Sequence, residues 1–419
     1  WIPALSPHRS VVRMPVHPTR RLAALTAMRW FPVGLVVPVL VLMLGARGLP
    51  LSQVGQVMAV YGVVTLSLEL PTGGMADTWG RRPVVVVAAL LNAVGLALLA
   101  IVSHVPLIML GAATLGAARA LSSGPVESWF VDVMHEAGLF DVESGLAKGQ
   151  ISEELALAAG SVIGGLLPGM FAGLPSTGEG FIALSVPFAA AAVMMVVFAI
   201  AAAFLLSGES RREPGSVAGT VLDAARRSVR QAPIRRVMVV ALCLGVMLSG
   251  IELLAPNTFA TLLGGTTEAS GLYGVLTAIA FVAGAGGAAL STRLPGRRQW
   301  VALTSQVMAA GFVLLVGVPM IGVAAASFLL FYMMIGLQGP VMAGLLHDRV
   351  DTRVRSTMMS VESVALQAGA VLASLVVGAL AAGAGLLAGL AVVASASLVA
   401  ATVLFLDLRH DPRTDPDAV

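Results

Sequence analysis

The sequence has few of the residues on which most catalytic and redox chemistry depends. It contains a single cysteine, Cys243, so the chain cannot form an internal disulfide or a paired-cysteine metal or redox motif. Its six histidines are scattered and lack the HExxH spacing of a zinc enzyme. No cluster of a nucleophile with a base is apparent either. We therefore expect neither an enzyme nor a resident metal or cofactor.

Lysine is almost absent as well. Lys148 stands alone, flanked by Ala147 and Gly149, whereas a phosphate-binding P-loop requires Gly-Lys-Ser or Gly-Lys-Thr. This excludes an ATP-driven pump in which one chain carries its own nucleotide site. Any transport would have to be driven by an ion gradient or by the gradient of the substrate itself.

Charge is scarce and hydrophobic residues are abundant. Only 11% of the 419 residues are charged and 58% are hydrophobic, whereas about 25% of the residues in soluble domains are charged. The mean hydropathy is +0.93. A helix needs about 20 apolar residues to cross a bilayer, and the chain has enough for about twelve such helices. We expect a membrane protein that contacts lipid and small molecules and does not bind nucleic acid.

Apolar runs of spanning length occur twelve times along the chain. None alternates with a period of two, so helices are favoured over a β-barrel. We number the spans in chain order, and their predicted bounds are 22–46, 51–72, 83–103, 105–130, 150–173, 181–206, 237–259, 270–291, 300–318, 321–346, 356–382 and 385–406.

Basic residues predict the orientation of these spans. With twelve spans, 22 of the 25 basic residues fall in the two termini and in alternate gaps on one side. The positive-inside rule places that side, with both termini, in the cytoplasm. The membrane is then expected to be the cell (inner or plasma) membrane. The longest gap divides the chain, and the predicted regions are an N-terminal tail (1–21), a first half (22–206), a linker (207–236), a second half (237–408) and a C-terminal tail (409–419). We expect the tail 1–21 not to be a secretory signal.

One turn between spans 2 and 3 is unusually specific. Residues 73–83 read GGMADTWGRRP, and three charges this close together must lie at the water interface. The spacing resembles the loop signature of the major facilitator superfamily, G-x-x-x-D-x-x-G-R-R, found between that family's second and third helices. The matching residues are Gly73, Asp77, Gly80, Arg81 and Arg82.

The resemblance implies an all-α membrane fold of twelve transmembrane helices in two pseudo-symmetric halves of six. It also implies that the motif forms a conformational latch, in which Asp77 meets the start of span 11 and Arg81 pairs with Asp132. The alternative is that Arg81 and Arg82 are topology signals alone. In the second half, Gly296-Arg297-Arg298 echoes the motif, but Arg293 stands where the first half has Asp77.

Spans 1, 4, 7 and 10 line the central cavity in the resembling family, and here each contains a polar residue. These residues are Arg29, Arg119, Glu252 and Gln338. Ionisable groups inside a span are costly and mark functional sites by default. Glu252 is the leading candidate for a proton carrier, with a permanent partner for a buried arginine as its alternative role.

Arg119 is a candidate for substrate binding or proton relay, or else is neutralised by an acid on a neighbouring helix. Arg29 either joins this pathway or extends to the interface. Glu127 and Asn257 complete the candidate pathway, and Asn92 and Tyr273 are weaker candidates for hydrogen bonding in the cavity.

Span 5 carries small residues that resemble the superfamily's antiporter signature, G-x-x-x-G-P-x-x-G-G. They are Gly160, Gly164, Gly165, Pro168 and Gly169, although Gly165 replaces the signature proline and Pro168 replaces a glycine. Small residues four apart also allow ordinary close helix packing.

We therefore expect a proton-coupled exporter of lipophilic small molecules that works by alternating access as a monomer. Proton-coupled uptake of a small metabolite is the alternative. A receptor or scaffold without transport is the more remote one, because no gap is long enough for a soluble recognition domain.

Overall fold

The computed structural model describes residues 17–73, 75, 79–139, 141–171, 173–206, 232–291, 293, 298–349 and 355–409. All regular secondary structure in these residues is helical. The helices are Pro18–Val36, Leu40–Ala46, Leu51–Gly73, Arg81–Ile101, Val105–Leu121, Pro125–Glu136, Val142–Met170, a 3₁₀ turn Ala183–Ser185, Val186–Leu205, Ala232–Leu263, Thr266–Ser291, Arg298–Val316, Ile321–Arg349, Arg355–Ala384 and Leu386–Arg409.

The described residues contain twelve helical segments long and apolar enough to span a membrane, as the sequence predicts. Spans 1 and 4 are each built from two consecutive helices. In span 4 the break falls at Gly124, whose φ of +88° is a left-handed conformation favoured by glycine. Pro125 then begins the second helix, where its missing N–H costs no hydrogen bond.

Two helix starts differ from the predicted bounds by more than four residues. Span 5 begins at Val142, eight residues before the predicted start, so Lys148 lies within the helix and not in a loop. Span 7 begins at Ala232, five residues inside the predicted linker. Hydropathy marks the stretch that can lie in lipid, whereas a helix extends beyond it wherever backbone hydrogen bonds continue. Most of the linker (207–231) and the tail residues 1–16 and 410–419 lie outside the described residues.

Arg47 organises one end of the first half. It is 8% exposed, and its guanidinium donates hydrogen bonds to the carbonyls of Leu99, Ala100, Val102 and Gly180 and to the hydroxyl of Ser185, at 2.6 to 3.1 Å. Carbonyls at the end of a helix have no partner within it, so a cation is well placed there. Burial lowers the pKa of Arg47 from its ordinary value, although a guanidinium remains charged at neutral pH. We refer to this end of the protein as the Arg47 end and to the opposite one, where Gly73 and Arg81 lie, as the motif end.

The two halves approach most closely near the Arg47 end. A Cβ atom on Gly165 of span 5 would lie 2.8 Å from the Cα of Gly274 in span 8, and one on Gly378 of span 11 would lie 3.3 Å from the Cα of Gly55 in span 2. The Ser270 hydroxyl also donates to the Gly165 carbonyl at 2.9 Å. Nearer the motif end, the Gln367 amide donates to the Glu69 carboxylate at 2.6 Å. Glycines thus bring the backbones of the two halves together at one end of the protein.

Candidate transport site

Arg29 lies in span 1 and is held by the second helix of span 4. It is 8% exposed, and its guanidinium lies 3.6 Å from the Glu127 carboxylate and donates to the Ser122 hydroxyl at 3.2 Å. Glu153 of span 5 adds a further favourable electrostatic interaction. Arg29 is therefore buried and paired, and it does not extend to the interface. The sequence suggested no partner for Glu127, and the structure pairs it with Arg29.

Arg119 lies at the end of the first helix of span 4 and has a different environment. Its guanidinium stacks over the Trp30 ring at 5.4 Å from the ring centroid and hydrogen-bonds to the Tyr61 hydroxyl. Arg29 contacts the same ring at 5.2 Å. Among the described residues Arg119 forms no ion pair, although Glu153 of the neighbouring span 5 lies within electrostatic range of it. Both of the roles predicted for Arg119 stay predictions.

Glu252 lies in span 7, in the second half. Its carboxyl hydrogen-bonds to the Tyr332 hydroxyl of span 10, and Tyr273 of span 8 is within electrostatic range. Glu252 forms no ion pair with any residue in the described ranges. The proposed alternative, a permanent salt bridge to a buried arginine, is therefore not what the described residues show.

An aromatic cluster in the second half includes Tyr332 and Tyr273, the two rings that interact with Glu252. The Tyr332 and Phe328 ring centroids are 5.1 Å apart, and Phe328 lies 5.6 Å from Tyr273 and 6.2 Å from Phe259. Tilted and edge-on pairs at these distances are favourable. Phe259, Tyr273 and Phe328 are buried in the core, and Tyr332 is the partly exposed ring of the cluster.

Tyr61 of span 2 lies within electrostatic range of charged groups in both halves. It hydrogen-bonds to Arg119 in the first half and interacts electrostatically with Glu252 in the second. It is 37% exposed, although residues from both halves surround it, so its side chain borders open space between the halves. The chain has three tyrosines, and all of them, Tyr61, Tyr273 and Tyr332, interact with Glu252.

The motif region is partly described. Gly73 ends the helix of span 2, and Gly80 precedes that of span 3 with a φ of +92°. Arg81 is buried and its guanidinium lies 2.7 Å from the Asp132 carboxylate, so the structure brings this predicted pair together. Arg82 is exposed. Asp77 lies outside the described residues, and its latch role stays a prediction.

Two candidates of the pathway lie apart from the cluster of charges. Gln338 is 1% exposed, and neither polar atom of its amide has a hydrogen-bond partner among the described residues. It lies six residues after Tyr332 in the same helix, about 9 Å along its axis. Asn257 is exposed near the Arg47 end of span 7. The structure does not join either side chain to Arg119 or Glu252.

The glycines of span 5 serve two different contacts. Gly160 and Gly164 pack against span 1 of the same half, where a Cβ on Gly160 would lie 2.9 Å from the Cα of Gly34. Gly165 faces span 8 of the other half, Pro168 is buried, and a Cβ on Gly169 would meet nothing within 4 Å. Close packing accounts for three of the four glycines, and an antiporter role for the segment stays a prediction.

Sequence reasoning missed Tyr61, Tyr332, Trp30 and Glu153. A lone aromatic residue in an apolar run carries no pattern that separates a site residue from a core residue. Glu153 had a usable signal, because it lies inside the predicted span 150–173 and ionisable groups within a span are costly.

Comparison with known proteins agrees with this architecture. A sequence profile of the Major Facilitator Superfamily matches residues 22–361. No curated protein matches the chain in sequence. Among solved structures, the nucleoside transporter NupG is similar with a TM-score of 0.77 at 12% identity, over 94% of this chain and 100% of that one.

Two further solved structures have the same fold. A bacterial homologue of the human lysosomal transporter Spinster, in an inward-facing conformation, aligns with a TM-score of 0.72 at 14% identity, over 96% of this chain and 98% of that one. A POT family transporter in complex with 5-aminolevulinic acid aligns with a TM-score of 0.72 at 11% identity, over 94% and 96%. Since the profile covers most of the chain, this multi-pass membrane protein belongs to the major facilitator superfamily of transporters.

Proposed function

We propose that the protein exports lipophilic small molecules in exchange for protons, with Glu252 as the proton-binding group. The observation that carries the proposal is the setting of Glu252. Its carboxyl lies in a membrane span, hydrogen-bonds to a phenol, and has no ion-pair partner among the described residues. Such a carboxyl can gain or lose a proton without breaking a salt bridge.

The surroundings of Glu252 suit the proposed substrate. Tyr332, the partly exposed ring of the aromatic cluster, offers apolar contact. A charged carboxylate beside it attracts a substrate that carries a donor or a positive group. Proton and substrate then compete for the same carboxylate. Competition of this kind is what exchange requires, because each ligand must leave before the other binds.

In the proposed cycle, Tyr61 couples the protonation of Glu252 to the movement of the two halves. Deprotonated Glu252 is attracted towards Arg119 across Tyr61, and protonation removes that attraction. A ligand shifts a conformational equilibrium only by its different interaction with the two states. In the proposed cycle, proton binding from outside weakens the attraction between the halves, and the release of that proton inside restores it.

The latch and the orientation belong to the same proposal. We propose that Asp77, together with Gly73, Gly80, Arg81, Arg82 and Asp132, holds the motif end closed in one state, and that this end faces the cytoplasm. A cysteine at Ser216 in the linker, in a Cys243→Ala background, should be protected from an impermeant thiol reagent in intact cells. A cysteine at Ser176, at the Arg47 end, should be labelled. The reverse labelling pattern would show that the orientation in the membrane is opposite to the one proposed.

The decisive experiment uses proteoliposomes with an imposed pH gradient and a panel of cationic, neutral and anionic lipophilic compounds. Exchange predicts accumulation when the lumen is acidic, whichever way the protein is inserted. Glu252→Gln should reduce this accumulation to the level of empty liposomes. Glu268→Gln, a matched change at an exposed residue in the first turn of span 8, should leave it unchanged. Undiminished accumulation by Glu252→Gln would remove Glu252 from the mechanism.

Proton-coupled uptake is the second candidate, and the two arginines favour it. Arg29 and Arg119 stack on the same indole ring and can bind a carboxylate jointly. Protonation of Glu252 would then assist the binding of an anion, and the two would move in the same direction. The same liposomes separate the candidates, because uptake by symport predicts accumulation when the external solution is acidic.

A further inference from the structure

The second helix of span 4, Pro125–Glu136, contacts both the candidate site and the motif end through two of its acidic residues. Glu127, in its first turn, lies 3.6 Å from the guanidinium of Arg29 in span 1. Asp132 lies 2.7 Å from the guanidinium of Arg81, the first residue of the helix of span 3. We refer to Pro125–Glu136 as the connecting helix, because these two contacts join span 1 to span 3 through it.

The connecting helix moves its two paired carboxylates together. Glu127 and Asp132 are five positions apart, which corresponds to about 7.5 Å along the helix axis and about 140° around it. Backbone hydrogen bonds fix the residues of a helix relative to one another, so one carboxylate is not displaced without the other. Between them, Trp129 and Phe130 are 1% and 0% exposed, and Phe130 packs against Gly145 of span 5. The helix is therefore a single rigid element packed within the first half.

Gly124 links the connecting helix to the rest of span 4. A Cβ on Gly124 would meet nothing within 4 Å, so its left-handed conformation, and not close packing, requires a glycine there. Among the described residues, no backbone hydrogen bond joins the helix Val105–Leu121 to the connecting helix. Hinges in proteins are a few residues at the ends of elements that absorb changes in φ and ψ. The break has the features of such a hinge.

Arg29 holds the two sides of this break together. Its guanidinium donates to the Ser122 hydroxyl, before Gly124, at 3.2 Å and lies 3.6 Å from the Glu127 carboxylate, after Gly124. The Ser122 hydroxyl in turn donates to the Arg119 carbonyl at 3.0 Å. The angle between the two helices of span 4 thus depends on Arg29. Loss of its contact with Glu127 removes the side-chain bridge across the break.

We propose that the connecting helix transmits the state of the Arg29–Glu127 pair to the Arg81–Asp132 pair by turning about Gly124. When the contact of Glu127 with Arg29 breaks during the transport cycle, the helix turns and Asp132 moves away from Arg81. Glu127 thus acts as a positioning residue for the motif end. The inference rests on the proposed latch and adds the route by which the candidate site controls it.

The test measures amide hydrogen exchange by mass spectrometry on the full-length protein in phosphatidylcholine nanodiscs, without substrate or gradient. The reporter is a peptide that covers residues 81–90, at the start of span 3. Asp132→Asn breaks the pair with Arg81 directly and defines the size of the response. Exchange of the reporter should rise at least about tenfold, as expected when a hydrogen bond to a charged group is lost.

A variant at the other pair tests transmission. Glu127→Gln should raise exchange of the reporter at least about fivefold, although the partner of Glu127 is in span 1. Glu153→Gln is the matched control, because it removes the same charge within electrostatic range of the same Arg29 but lies on span 5, outside the connecting helix. It should change exchange less than about twofold. An equal response to both variants would reduce the effect to a general loss of negative charge and would overturn the inference.

A pair of glycine variants tests the hinge. Alanine resists a positive φ at Gly124, so Gly124→Ala should turn the connecting helix away from its contacts and raise exchange of the reporter at least about fivefold. Gly138→Ala is the matched change just beyond the other end of the helix, where φ is +67° and a Cβ would also meet nothing within 4 Å. It should change exchange less than about twofold. Equal responses would show that Gly124 is not the hinge.

A second peptide separates turning from unfolding. Residues 129–134 lie inside the connecting helix, and their exchange should stay within about twofold of the wild-type rate in Glu127→Gln and Gly124→Ala. A rise there that matches the rise at residues 81–90 would mean that the helix unfolds, and would refute rigid turning. Thermal unfolding reports whether each variant folds. If Gly124→Ala does not, the comparison of Glu127→Gln with Glu153→Gln decides.

The same data distinguish failure of this inference from failure of the latch. A response to Asp132→Asn without a response to Glu127→Gln would remove the transmission and leave the latch in place. No response to Asp132→Asn would show that the pair with Arg81 does not hold the motif end, and both proposals would fall. The proposed exchange at Glu252 is unaffected by either result.

Discussion

The two halves share one helical architecture but divide the charged groups unequally. Within its spans the first half places two guanidinium groups, Arg29 and Arg119, around one indole ring. The second half places one carboxyl, Glu252, beside a cluster of aromatic rings. Two identical halves would present like charges to each other and repel. In the proposed mechanism, this unequal division provides an attraction between the halves that a single proton removes.

The halves also differ in how a buried arginine stabilises each of them. In the first half Arg47 donates five hydrogen bonds to groups of that half. In the second half Arg236 pairs with Asp407 at 3.2 Å, which joins span 7 to span 12. The first arrangement lies at the Arg47 end, and the second lies at the opposite end of its helices. Each half thus has an arginine contact of its own, independent of the interface between the halves.

The largest effect is expected on stability, when the buried arginine of each half is replaced. Arg47→Gln leaves several buried carbonyls without a donor and should lower the free energy of unfolding by at least about 3 kcal/mol. Arg236→Gln breaks one pair that is partly exposed, and should cost about 1–2 kcal/mol. Thermal unfolding in nanodiscs measures both. Equal losses would mean that the two arginine contacts are equivalent.

The next effect concerns the contact between the halves. Gly165→Leu cannot be accommodated against Gly274 and should destabilise the state closed at the Arg47 end by about 1–3 kcal/mol, which corresponds to a change of about 5- to 150-fold in its population. Gly169→Leu is the matched control on the same helix, because a Cβ there meets nothing within 4 Å. Transport rates should fall for the first variant and stay near the wild-type rate for the second. A loss common to both would point to span 5 as a whole.

The smallest effect is expected for Tyr61, which interacts with Arg119 in the first half and with Glu252 in the second. Tyr61→Phe removes the hydrogen bond to Arg119 and should lower the rate of gradient-driven transport about fivefold. This change corresponds to a coupling free energy of about 1 kcal/mol. Because Glu252→Gln abolishes gradient-driven accumulation, the double-mutant cycle is measured on substrate binding without a gradient. Tyr61→Phe should change that binding in the wild-type background and have almost no effect in the Glu252→Gln background, where Tyr61 has no charge to relay. Strictly additive effects would show that Tyr61 acts on one half alone.

The match between prediction and structure depends on the kind of signal. The twelve spans were predictable because a helix must satisfy its backbone within lipid, and this constraint leaves a long apolar run in the sequence. The pairing of Arg81 with Asp132 was also anticipated from the motif. The start of span 5 at Val142 could not be predicted, because the first part of that helix contains Glu143, Lys148 and Glu153 and lacks a continuous apolar run.

The partners of the buried charges show where sequence reasoning ends. Glu127 pairs with Arg29, which is 98 positions away in the sequence, and Glu252 bonds to Tyr332, 80 positions away. The choice depends on how the helices are rotated and how closely they pack. Those quantities are fixed by glycine contacts such as that of Gly160 with Gly34. Such contacts join distant positions and have no local pattern.

The sequence by itself determined that this chain crosses a membrane twelve times, that it places ionisable groups inside its spans, and that it carries the superfamily's loop motif. These follow from the cost of exposing polar groups to lipid, which acts on each segment separately. Tertiary structure alone decided that Arg119 forms no ion pair within the described residues, that Tyr61 interacts with both Arg119 and Glu252, and that Trp30 and two arginines line one cleft. These relations arise when separate helices pack together.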